Sequence, residues 1–133
     1  MYDFGHAADE VIAARRRLAD DVCLALIYSG LQAHLASDEN IPGAEVEVDP
    51  GDDAAGGVFV TWMKSNEFIS AVVAEVAALK QDEAIVLLSE EISRCMRDAI
   101  IRLLDDFSFE VIPYDDGQRP PSVKVISGKF ERP

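Results

Sequence analysis

The chain has 133 residues, 49% of them apolar and 28% charged, a composition that suits one globular domain and not a disordered segment. Twelve Lys and Arg stand against 25 Asp and Glu, giving a formal net charge of −13. That balance excludes direct binding to nucleic-acid phosphates or to an anionic membrane surface, both of which need clustered cations, and favours basic partners.

The start, "MYDFGHAADEV", has no basic stretch leading into an apolar run. No signal peptide is expected, and the cytoplasm is the expected location. The longest apolar run, "VCLALIY", is far too short to span a bilayer.

Helical spacing of Val11, Leu18, Val22, Ala25 and Leu26, continued by Ile27, Leu31 and Leu35, predicts a first helix over 7–37. Gly30 falls inside it and costs about 1 kcal/mol against Ala, so a close helix crossing or a break is an option there. Pro42 and Gly43 supply the stop. In "EVEVDPGDDAAGGVFVTW", Glu45, Glu47 and Asp49 alternate with Val46 and Val48, the two-residue period of a strand with one wet face. Val58, Val60 and Trp62 alternate in turn, so the stretch reads as a hairpin around an acidic, glycine-rich loop.

Ser65 or Asn66 is a plausible cap for a second helix that runs to about residue 80 on Phe68, Ile69, Val72, Val73, Val76 and Leu79. A third helix over 82–105 follows, on Ile85, Leu88, Ile92, Cys95 or Met96, Ala99 and Leu103. No Gly or Pro enforces a break at "KQDE", residues 80–83, so one long bent helix is the alternative. Glu90 with Arg94 and Asp98 with Arg102 are i,i+4 pairs on its wet face. The chain closes with a second hairpin, Phe109 and Val111 before "PYDDGQRPP" and Val123 and Val125 after it.

The two hairpins align without gaps at an offset of 65, with Glu45 on Glu110, Val46 on Val111, Val58 on Val123 and Val60 on Val125. Upstream, Ile27, Leu31 and Leu35 fall on Ile92, Met96 and Ile100. The alignment raises an internal duplication, 24–62 on 89–127, although shared strand patterning would give the same match. The expected architecture is a single α+β domain over 1–133 in the order helix, hairpin, helix, helix, hairpin. Its four-stranded, mainly antiparallel sheet carries the helices on one face.

Five of the nine residues from Glu45 to Asp53 are acidic, and hard cations favour carboxylate oxygen. Yet "DPGDD" lacks the spacing of a calcium loop, and Pro50 stiffens the turn, so no metal site is expected. Cys23 and His34 could form a nucleophile pair only if the first helix broke at Gly30. The carboxylate pairs Glu90 with Glu91 and Asp105 with Asp106 suit acid–base work, and equally any acidic helix surface. No G-x-S-x-G, phosphate-binding loop, H-E-x-x-H or C-x-x-C occurs, and no cofactor is expected. Cys23 and Cys95 read as two buried free thiols. In Arg15 to Arg17, the pairs Arg16 with Asp20 and Arg17 with Asp21 suggest a salt-bridged exposed turn.

The function expected from these features is binding of a basic protein partner. The candidate partner-binding residues are Glu45, Glu47, Asp49, Asp52 and Asp53, with no base near the ladder in sequence. On an edge strand the same charges would also block unwanted strand pairing. The module could be an immunity-type inhibitor, a secretion-chaperone-like escort or an adaptor. In size and acidity the chain is similar to type III secretion chaperones, a likeness of composition. A nucleic-acid-mimicking inhibitor and a small enzyme without a recognisable motif are the alternatives. Apolar stripes on the first and third helices, wider than one small sheet can cover, suggest a homodimer.

Overall fold

The computed structural model describes residues 7–53, 56–78, 84–117 and 119–131. Helix α1 spans Asp9–Tyr28, with Asp9 and Glu10 in its first turn, where acids complement the helix dipole. Its buried face is Ala19, Val22, Cys23, Ala25 and Leu26. The helix stops nine residues before the expected end at residue 37. Gly30 adopts φ 95°, and the amides of Gly30 and Leu31 donate back to the carbonyls of Ile27 and Leu26. This is a Schellman closure, which needs a left-handed residue just past the helix end.

Beyond Gly30 the same letters read with a period of two. Leu31, Ala33 and Leu35 alternate with Gln32 and His34, and Ala33–Leu35 form strand β1. It pairs in parallel with β2, Gly43–Asp49, setting His34 beside Glu45. β2 pairs antiparallel with β3, Gly57–Met63, from Gly43 opposite Met63 to Asp49 opposite Gly57. Helices α2, Asn66–Ala77, and α3, Ala84–Asp106, follow. The Ser65 side chain caps α2 by accepting from the Phe68 amide at 3.2 Å. Residues 80–83, where the sequence leaves the junction open, lie outside the described residues. Strands β4, Glu110–Tyr114, and β5, Ser122–Ser127, form the last hairpin.

The described residues form an α+β fold with three helices and a five-stranded mixed sheet in the order β1-β2-β3-β5-β4. It corrects the expected four-stranded sheet by one short edge strand, which had been read as the end of a helix. The β4–β5 register repeats the β2–β3 register at the offset of 65: Glu47 faces Phe59, and Ile112 faces Lys124. Phe59 and Lys124, related by the same offset, pair with each other at the centre of β3 and β5. The two hairpins therefore meet about a local two-fold axis. The correspondence ends there, because Leu31 and Leu35 flank or lie in β1 while Met96 and Ile100 lie in α3.

Helices α1 and α3 cover one face of the sheet. Leu26, Ile100 and Leu104 pack on Val46, Val58, Val60, Val123 and Val125, with Phe109 and Phe130 closing the end. Phe130 lies between Tyr28 and Phe107, with ring centroids at 5.0 and 5.7 Å. Among the described residues, no helix is long and apolar enough to cross a membrane.

The two cysteines separate, against the expectation that both are buried. Cys23 sits in the core, whereas Cys95 is exposed on α3. Burial, reinforced by Asp20, pushes the Cys23 thiol up to about 11. Only the thiolate attacks a disulfide reagent. An aromatic disulfide reagent at about pH 8 should therefore titrate Cys95 in the native protein, and Cys23 only after denaturant is added. Two equally fast thiols would contradict this placement.

Candidate functional site

Among the described residues no helix packs on the second face of the sheet, and the sheet's own polar residues meet on it. His34, Glu45, Thr61, Ser122 and Tyr114 form one row across all five strands. Glu47, Phe59, Lys124 and Ile112 form the next. The hydroxyls of Thr61 and Ser122 are 2.8 Å apart and join the hairpins on this side. His34 Nε2 is buried with no hydrogen-bond partner among the described residues.

Arg119, from the β4–β5 loop, lies over this face. Its guanidinium sits 4.3 Å from the Phe59 ring centroid, and Tyr114 packs on the same ring at 4.8 Å. It reaches Glu47 at 3.3 Å, Asp116 at 3.6 Å and Asp49 at 3.8 Å. Arg119 Nη1 is buried, and its approach to Glu47 is an ion pair without hydrogen-bond alignment. Phe59 is fully buried under this plate although it faces away from the helices. The acidic ladder thus has a base in space that it lacks in sequence. Glu45 stays outside the reach of Arg119, half-buried in the row with His34. β2 is flanked by β1 and β3, so the ladder does not guard a sheet edge.

A second arginine fixes the acidic loop. Arg15 Nη1 donates to the carbonyls of Asp49 and Gly51, each at 2.7 Å, and so ties the hairpin end to α1. Asp49 also accepts from the Gly51 amide at 2.9 Å, an Asx-type turn. A Cβ at Gly56 would strike the Gly51 carbonyl and crowd Arg15, so the loop closes only on glycine there. Asp52 and Asp53 remain exposed at the tip. The run Arg15 to Arg17 is divided by this geometry. Arg15 turns inward, while Arg16 and Arg17 are exposed and form none of the expected pairs with Asp20 and Asp21. On α3, Arg94 bridges Glu90 and Glu91, and Asp98 pairs with Arg97 and not with Arg102.

The break at Gly30 does occur, yet it separates Cys23 from His34. Cys23 faces the helix-side core, and His34 shares the opposite face with Glu45. A different polar contact has no local signature in the chain: Lys64 Nζ donates to Ser93 Oγ at 2.7 Å, and Ser93 donates to the Ser89 carbonyl at 3.2 Å. This pair lies in a cleft of about 330 Å³ between α3 and the β4–β5 loop, which Arg94 and Arg119 also line. Desolvation lowers the Lys64 pKa. A lysine beside a serine is a nucleophile-activating arrangement, but here the serine is spent on the helix carbonyl and the lysine acts as donor. Among the described residues, no group of three or more His, Cys, Asp or Glu could hold a metal ion.

The last notable surface is the arm formed by α2 and the first turns of α3. α2 contributes no buried residue, although only Glu67 and Glu75 among its twelve residues are charged. No family model, curated protein or solved structure matches this chain.

Arg119→Ala should lower unfolding stability by about 1–2 kcal/mol, because it uncovers Phe59 and leaves the ladder uncompensated. Arg119→Lys should restore less than half of that loss, since an ammonium cannot stack flat on the ring. Urea denaturation measures both, and full rescue by Lys would contradict the stacking role. For Lys64, the folded pKa lies below the usual 10.5. Between those two pH values the unfolded chain binds more protons, so stability rises with pH through the window. The stability of the wild type relative to Lys64→Met should therefore increase as pH approaches 10.5, as read from melting temperatures of the two proteins.

Proposed function

We propose that the protein is a small acidic binding module that engages a basic segment of another protein through the open face of its sheet and the adjoining hairpin tip. The observation that carries this reading is the sharing of one guanidinium by three carboxylates: Glu47, Asp49 and Asp116 all converge on Arg119. Glu45 on the same strand, and Asp52 and Asp53 at its end, add negative charge beyond the reach of that arginine. Lys or Arg side chains from a partner would add further pairs to these carboxylates, and exposed Asp52 and Asp53 would steer the approach. Tyr114, half-buried beside Arg119, offers an aromatic ring at the edge of this surface for an incoming guanidinium. An inhibitor, an escort or an adaptor would each use such a surface, and the cytoplasm is the compartment proposed for it.

The test is a partner captured from the native host, followed by titration against variants. Glu45→Lys combined with Asp52→Lys and Asp53→Lys leaves the Arg119 pairs in place and should weaken binding at least tenfold. Raising salt from about 50 to about 300 mM should weaken the wild-type complex in the same direction, because exposed charges are screened beyond about a Debye length. Binding indifferent to both changes would sink the proposal.

A further inference from the structure

Helix α2 contradicts its own sequence. A helix that is apolar nearly all round is ordinarily buried, yet no residue of α2 is buried and the helix packs chiefly against α3. Phe68, Val72 and Glu75 are its half-buried positions. Ile69, Val73 and Val76 lie one residue further on, about 100° round the helix, and are 43%, 59% and 59% exposed. Leu87 and Leu88, at the start of α3, are 59% and 51% exposed. We propose that this two-helix arm is a self-association surface, and that a second copy of this chain covers it.

The spacing of Ile69, Val73 and Val76 is four then three, the d-a-d pattern of a helix-pairing seam, with β-branched side chains at each position. The five side chains expose on the order of 400–500 Å² of apolar surface, at the upper end for one patch on a monomer. Exposed Ala77, next to Val73 round the helix, extends this patch, and a two-fold contact through it would supply the apolar centre of an interface. Charge selects the occupant. The basic partner proposed above has nothing to seek on α2, whose only charges are Glu67 and Glu75. Two copies each carrying −13 repel wherever their acidic surfaces approach, and α2 is a nearly uncharged surface through which they can meet. Two arms related by a two-fold axis would form a closed four-helix bundle in which each α2 seam faces its equivalent.

Sedimentation velocity from about 1 to about 200 µM tests this, spanning the affinities of typical stable dimers. The wild type is expected at twice the monomer mass over most of that range. Val73→Glu should weaken the association by at least 100-fold, with the helix signal and melting of the monomer retained, because Val73 is mostly exposed within one chain. In a Cys95→Ser background, Val73→Cys should form an intermolecular disulfide on mild oxidation, since the two copies of residue 73 lie near the axis. A wild type that stays monomeric to the highest concentration overturns the inference. So does a Val73→Glu variant that dimerises as tightly as the wild type. A monomer whose captured partner binds less tightly to Val73→Glu would assign the arm to that partner and reject the second copy. None of these results bears on the acidic face, which is tested by Glu45, Asp52 and Asp53.

Discussion

The antiparallel contact between Val58, Phe59 and Val60 of β3 and Val123, Lys124 and Val125 of β5 holds the molecule together. It joins two hairpins that are far apart in the chain, and everything else is placed relative to it. On one side, Val58, Val60, Val123 and Val125 make the floor on which α1 and α3 pack. On the other, Phe59 and Lys124 occupy the centre of the open face. Because the two hairpins share one register, their strands meet symmetrically, and the loop of the second hairpin can fold back over the acids of the first. The symmetry is confined to the two hairpins; β1 and α2, which have no counterpart beside the second hairpin, flank the first one in sequence.

Two arginines convert an acidic chain into an organised one. Arg15 uses its guanidinium on backbone carbonyls and so shapes the hairpin tip. Arg119 both shields an aromatic ring and gathers carboxylates from a strand and a loop. Partly exposed ion pairs of this kind contribute little stability one at a time. Their larger effect is geometric, since a planar fork stacked on a ring holds its carboxylates in fixed positions. The resulting face is both pre-organised and still acidic, a combination suited to recognising a basic segment.

The protein also divides its surface by chemistry. Acids dominate the open face and the hairpin tip, whereas α2 is nearly free of charge. The two proposed contacts divide in the same way: electrostatic and salt-sensitive on the sheet, apolar and salt-insensitive on the arm. A dimer built through the arms would leave the acidic face of each copy available to a partner.

The sequence by itself determined the local periods. The alternation in "EVEVD" and "VFVTW" appears in the fold as read, because it depends on neighbours in the chain, and Ser65, one of two candidate caps, caps α2. In α3 the helix itself was legible but its inner face was not: Ser93, Ile100 and Leu104 are buried, while Leu88, Cys95 and Ala99 of the expected stripe are exposed. Leu31 and Leu35 satisfied a helical and a strand period at once. The left-handed turn at Gly30 settled the matter, and it is stabilised by hydrogen bonds that only a finished helix end offers. The candidate site was legible as a set of acids but not as an arrangement. Arg119 stands 70 positions from Asp49, and Arg15 stands 34 positions from it, so no window of sequence shows that the ladder has partners. Ser93 looked like one more polar residue on a helix until the end of β3 brought Lys64 to it. Tertiary structure alone decided which charges meet, because electrostatic contacts are set by distance in space. It alone revealed, too, that the apolar residues Ile69, Val73 and Val76 of α2 are exposed among the described residues.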